Sequence, residues 1–148
     1  QEWGFPLWIC RKHDPERHHV LACVDGSHAS HRMLDHVGFV LGKALNQDVT
    51  LLAISRKGNV GEKTVEEILS KSTEILVADG ISAERIHSKV IPEADAAKAI
   101  IKEAGSEHFA AVAVGRTGKT MGFFKKVFVG SVSRNLFQDL EGASLWLI

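Results

Sequence analysis

The chain is short of cysteine, of long apolar runs and of any excess of charge. Two cysteines in 148 residues are too few to staple a small fold, so a reducing cytoplasm is the expected setting. No apolar stretch reaches the roughly 18 residues that a membrane span needs. The first ten residues lack the basic start and long apolar centre of a secretory signal. The 18 basic residues are matched by 18 acidic ones, whereas a general binder of nucleic acid or acidic polymers is strongly basic. An initiator methionine is also missing: the chain begins Gln1-Glu2-Trp3, as expected of a processed chain or a piece of a longer one. What is present is a 45% apolar composition, enough for one domain with a real core.

Two ends of the chain resemble each other. Gly4 to Cys10 (GFPLWIC) and Gly142 to Ile148 (GASLWLI) share Gly, Leu and Trp at matching offsets, and both read as short buried strands. Residues 1–10 are therefore either the last strand of a preceding homologous domain or an edge strand native to this one. Residues 11–19 (RKHDPERHH), charged and holding Pro15, read as a linker. Residues 20–148 read as the domain. There, apolar runs at Val20 to Ser27 (ending in a turn), Asp48 to Ser55, Arg85 to Pro92, Phe109 to Gly115 and Ala143 to Ile148 alternate with four helical stripes. Met33, Val37, Val40, Leu41 and Ala44 mark the first, with Ser27 as its N-cap. Val65, Ile68, Leu69, Ser72, Ile75 and Leu76 mark the second, ending at Gly80. Ala97, Ile100, Ile101 and Ala104 mark the third, with Gly105 as its C-cap. Val132, Leu136, Phe137 and Leu140 mark the fourth. The alternation of strand and helix specifies an α/β domain built on a parallel sheet with right-handed crossovers.

In such a sheet ligands sit outside the carboxyl ends of the strands, where the strand order reverses. The first strand ends in Asp25-Gly26-Ser27, and the fourth runs into GRTGKTMGFFKKVFVGS, Gly115 to Ser131. Between Glu107 and Asp139 there is no acidic residue, while Arg116, Lys119, Lys125, Lys126 and Arg134 fall in that stretch. Glycines, a helix N-terminus and cations together suit a phosphate; a solvated basic loop is the plainer alternative. Ala113 to Thr120 (AVGRTGKT) is a relaxed P-loop pattern, but its first glycine is replaced by Ala113 and too little chain follows for a P-loop NTPase.

The segments VLACVDGS, VAVGRTG and GSVSRNL followed by SLWLI, in that order and spacing, resemble the universal stress protein family. The resemblance implies an open parallel five-stranded sheet in the order 3-2-1-4-5, helices on both faces, and dimerisation through the last strand. It implies ATP, or AMP or ADP, with or without magnesium, as ligand. Carried over by position, Asp25 would touch the ribose hydroxyls and the backbone of Ile54 the adenine edge. Gly115 would lie against the ribose, while Gly118 and Gly130, with the Ser131 hydroxyl and the Val132 amide, would hold phosphates. Nucleotide-binding members resemble G-x2-G-x9-G-S/T here. This chain has Gly115-x2-Gly118, then eleven residues, then Gly130-Ser131. Asp25 has an alternative role in capping the helix after Gly26.

The expected function is thus a stress-response sensor or regulatory module that binds an adenine nucleotide and partners a second domain, as a homodimer or in tandem, through its last strand; the N-terminal LWIC would pair with SLWLI of this chain or of another copy, with Trp8 and Trp146 as packing residues. The alternative is a family member that has lost nucleotide and serves as a dimerisation or interaction module. A nucleotidyl transferase would need an HxGH-like motif early in the chain, which is absent. No general base stands near the glycine loop, so hydrolysis is at most slow and incidental. The eight histidines, His28 and His31 included, lack a ligand set for a metal and read as surface residues. Cys10 and Cys23 read as buried thiols.

Overall fold

A polypeptide whose strands are apolar on both faces must cover both with helices, and the structure, a computed structural model, does so. It describes residues 6–10, 12, 14–55, 64–92, 95–115, 135–136 and 138–148. The elements are β1 (Leu7–Ile9), β2 (His18–Cys23), α1 (His28–Leu41), β3 (Val49–Ser55), α2 (Val65–Ala78), β4 (Ile86–Pro92), α3 (Ala96–Ser106), β5 (Phe109–Val114) and β6 (Ser144–Leu147), with one 3₁₀ turn at Ala83–Arg85. On β2, Val20, Ala22 and Val24 point to α1 and α2, meeting Met33, Leu34, Val37 and Leu76. Leu21 and Cys23 point to the other face, meeting Ala97 and Ile100 of α3 together with Leu136 and Leu140. The described residues 135–136 and 138–139 are helical, where the fourth stripe falls. Val132 and Phe137 of that stripe lie outside the described residues.

The sheet runs β1-β6-β5-β2-β3-β4. Its pairs β2–β3, β3–β4, β2–β5 and β5–β6 are parallel, and β1 lies antiparallel on β6. Counted from β2, the five parallel strands stand in the expected order 3-2-1-4-5, but the expected sheet of five is corrected to a mixed sheet of six by the antiparallel β1. The physical reason is the outer edge of β6. Left open, it would present unpaired backbone groups along an apolar strand, and residues 7–9 cover it. Leu7 stands opposite Leu147, Trp8 opposite Trp146 and Ile9 opposite Leu145. The two indoles stack, with centroids 4.3 Å apart and planes 6° from parallel.

Smaller expectations also change. The segment read as a linker to residue 19 already contains the first residues of β2, His18 and His19. Cys23 is buried as expected, and desolvation pushes its thiol pKa far up, but Cys10, one residue beyond the edge strand, is exposed. Gly105 lies inside α3, whose C-cap is Glu107; His108 takes the left-handed turn that follows, with φ of 52°. Among the described residues several histidines have structural work. The ring Nδ1 of His19 accepts a hydrogen bond from the Asp48 amide at 2.9 Å, and His36 meets Trp8. The open carbonyl end of α1 and the loop after it are closed by Arg85. Its guanidinium donates to the carbonyl oxygens of Leu41 and Ala44 at 2.9 Å and of Gln47 at 2.6 Å.

Helices α1 and α2 meet closely because Gly38 has no side chain: a Cβ there would stand 2.7 Å from that of Asp79. Desolvation in this contact, then the hydrogen bond and charge of Asp35, push the Asp79 carboxyl up to about 6. The folded chain thus holds this proton more tightly than the unfolded one. The site favours folding at low pH, and that contribution is lost as pH rises from the ordinary value of 3.8 to about 6. Asp79→Asn is expected to melt higher than the parent at pH 7–8 and to converge with it near pH 4. Thermal melts across that range read the difference, and equal melting at pH 7.5 would remove the effect.

Candidate functional site

The strand order reverses between β2 and β5. From β2 the chain moves outward to β3 and β4, then returns to the other flank of β2. The carboxyl ends of β2 and β5 therefore border the crevice where such sheets bind ligands. At the end of β2 the backbone turns at Gly26, with φ of 80°. Ser27 caps α1, its hydroxyl oxygen accepting from the Ser30 amide at 3.1 Å. Asp25 holds Ser27 in place: its Oδ1 accepts from the Ser27 amide at 2.9 Å and from the Ser27 hydroxyl at 2.6 Å. The Asp25 amide in turn donates to the Ser30 hydroxyl at 3.4 Å.

Asp25 thus supports the cap instead of being it. Its carboxylate lies half-buried at the head of α1, which has no acidic residue in its first turn. Ser30, buried at 1% exposure, was not singled out in the sequence. The sequence carries no specific signal for it, because the capping box that places a side chain there takes Glu or Gln three residues after the cap.

Gly115 follows β5 and is buried. A Cβ there would lie 2.6 Å from the carbonyl carbon and oxygen of Ala29 and 3.0 Å from the Ser30 amide nitrogen. The end of β5 is pressed against the first turn of α1, so Gly115 has a packing reason to be glycine whether or not a ligand touches it.

Ile54 lies near the end of β3, opposite Ile91 of β4. Its side chain packs on the α3 side of the sheet. The Leu52 carbonyl accepts from the Val24 amide of the β2 exit, so Leu52 turns its backbone groups toward β2. Two residues on, those of Ile54 turn the same way, beyond the point where β2 has left the sheet. Asp25, Ile54 and Gly115 therefore all border one crevice. Gly118, Gly130, Ser131 and Val132 lie outside the described residues, as do all five cations of the glycine-rich stretch.

Clefts elsewhere lie at the opposite, amino ends of the strands. One of about 540 Å³ is lined by Lys12, Asp14, Gln138 and Gly142 among others. A second, of about 270 Å³, is lined by Cys10, Arg17, Ala110 and Ser144 among others. Among the described residues no group of three or more His, Cys, Asp or Glu side chains could hold a metal.

This framework has known counterparts. The universal stress protein family model matches residues 16–141. The chain belongs to the universal stress protein family. A solved universal stress protein in complex with cAMP is 16% identical, with a TM-score of 0.66 over 88% of this chain and 96% of that one. A family protein from Burkholderia pseudomallei is 11% identical, with a TM-score of 0.63 over 87% and 93%. A universal stress protein from Archaeoglobus fulgidus is 16% identical, with a TM-score of 0.62 over 88% and 96%. At these identities the likeness is one of fold. No curated protein sequence matches significantly. Among the described residues no helix of this universal stress protein domain is long and apolar enough to cross a membrane.

Proposed function

We propose that this universal stress protein domain binds an adenine nucleotide, ATP or AMP or ADP, in the crevice between the ends of β2 and β5 and works as a regulatory module. The observation that carries the reading is that Asp25, Ile54 and Gly115 stand at the carboxyl ends of the adjacent strands β2, β3 and β5, where the strand order reverses. A relative of the same fold in complex with cAMP supports it. In this reading the Asp25 carboxylate accepts from ribose hydroxyls and the Ile54 backbone pairs with the adenine edge. Gly118, Gly130, the Ser131 hydroxyl and the Val132 amide take the phosphates, and magnesium accompanies a triphosphate. Binding favours whichever conformation holds nucleotide better, and so couples occupancy to stability and to partner surfaces.

Denaturing the purified chain and analysing the released small molecules by chromatography is expected to yield adenine nucleotide. Calorimetric titration with ATP and magnesium supplies the affinity. Gly118→Val is expected to weaken binding by at least about 100-fold, a loss of roughly 2.7 kcal/mol, with an unchanged melting temperature in the absence of nucleotide. Unaltered affinity would take Gly118 out of the site. A second reading, an interaction module without nucleotide, is favoured by a specific observation: both Asp25 and Gly115 already have structural work. Absence of released nucleotide and of any titration heat would select it. Association with another domain through β6 would require β1 to leave that edge.

A further inference from the structure

The strap over β6 is held by one polar contact with a definite proton requirement. Trp8 Nε1–H donates to Nε2 of His36 on α1 at 3.0 Å. An indole nitrogen is a donor only, so Nε2 of His36 must carry a lone pair, and the imidazole must be neutral. A proton on Nε2 would set two N–H donors against each other. The imidazole also meets both indoles edge-on, 5.7 Å from Trp8 and 6.2 Å from Trp146, at 78° and 82°. Beyond this contact β1 is held by its short pairing with β6, the stack of Trp8 on Trp146 and the packing of Ile9 on the core; it has three residues, none fully buried, and Trp8 is 42% exposed.

We propose that β1 is an acid-released strap: protonation of His36 breaks the Trp8–His36 contact and frees residues 7–9 from the edge of β6. The groups around the imidazole leave a new charge uncompensated. From β1 and β6 it faces Trp8 and Trp146, which do not titrate. On α1, Arg32 stands one turn away on the same stripe and is itself positive. Asp35, hydrogen-bonded to Asp79 at the end of α2, lies about a third of a turn round the helix, and burial alone accounts for the direction in which the imidazole is shifted. Partial burial already draws the imidazole below its ordinary range. The neutral form is thus preferred with the strap seated, so the seat holds fully above about pH 6.5 and loosens as pH falls below it. Release uncovers the backbone edge of Leu145 to Leu147 and the face of Trp146.

Nuclear magnetic resonance of the full chain tests this. Solvent exchange of the Trp8 indole N–H and of the amides of residues 7–9 is followed from pH 8 to pH 5 and corrected for intrinsic rates. Leu21 and Val112, buried in β2 and β5, serve as the reference. Strap protection is expected to fall below about pH 6.5, by at most about tenfold per pH unit, the limit that one linked proton sets. Core protection should stay level. His36→Gln keeps an acceptor that does not titrate and is expected to give a flat profile. Trp8→Phe keeps the ring stack without the N–H, and the His36 imidazole is expected to titrate at higher pH in it. A flat profile in the parent, an equal slope in His36→Gln or an unmoved His36 titration in Trp8→Phe would each overturn the proposal.

Discussion

Gly115→Ala is expected to destabilise the domain by about 3 kcal/mol, the upper end of ordinary overpacking. For a chain of this length that lowers the melting temperature by roughly 9 °C. The added methyl would stand 2.6 Å from the Ala29 carbonyl and 3.0 Å from the Ser30 nitrogen. Those atoms are backbone in the first turn of α1, and they cannot swing aside as the end of a long side chain would. Relief requires moving the helix head, which the Ser27 cap and the Asp25 carboxylate hold, or lifting the end of β5 from the sheet. Gly115 does not have a positive φ, so the cost is steric and not conformational. Thermal and urea denaturation of the unliganded protein measure it. An alanine variant that melts within about 2 °C of the parent would show that strand and helix do not approach this closely.

The same contact bears on how the nucleotide reading must be tested. Any substitution at Gly115 displaces the head of α1, and with it Asp25. Lost affinity in a Gly115 variant would follow from the fold alone. Asp25 has the complementary difficulty: removing its carboxylate takes away two hydrogen bonds that hold Ser27, so a weaker α1 cap accompanies any lost ribose contact. Gly118→Val, judged by affinity against an unchanged melting temperature, separates ligand from fold where those two positions do not.

Much of the architecture was legible because it rests on local patterns. The apolar run of β2 and the stripe of α1 each follow from a few neighbouring residues, and Ser27 as N-cap follows from its place before that stripe. What was not legible depends on contacts between distant segments. That Leu7-Trp8-Ile9 pairs with Leu145-Trp146-Leu147 could be read from their likeness, with this chain or another copy as the alternatives, and the pairing is within the chain; its antiparallel sense, and so a mixed sheet of six strands, does not follow from two similar triplets. Cys10 was misplaced for the same reason: a cysteine beside an apolar triplet is buried only if that strand lies inside the sheet, and β1 lies at its edge. At the candidate site the residue types were readable. The turning of the Ile54 backbone toward the crevice was not, because it depends on the register between β3 and the exit of β2. Nor could the sequence show that Gly115 is pressed on a helix backbone.

Lys89→Met is expected to cost about 2 kcal/mol at pH 7, because it strands a buried carboxylate. Glu103 lies on the inward face of α3 at 5% exposure. Both its oxygens accept from Lys89 Nζ of β4 at 2.7 Å. Breaking a fully buried pair costs about 3–5 kcal/mol; here the figure is reduced because Lys89 is 45% exposed and water reaches its end of the pair. The hydrogen bond to Glu103 raises the Lys89 ammonium above its ordinary value. Its contribution is therefore complete below that value and is lost only as pH climbs through the raised one, far from neutrality. Removing both charges, in Lys89→Met with Glu103→Leu, is expected to recover most of the loss, since an apolar pair of similar volume avoids the desolvation altogether. Urea denaturation of the parent, both single variants and the double variant at pH 7 and pH 4.5 closes the cycle. Equal stability of Lys89→Met and the parent at pH 7 would mean that water, not Lys89, satisfies Glu103, and that β4 is joined to α3 by packing alone.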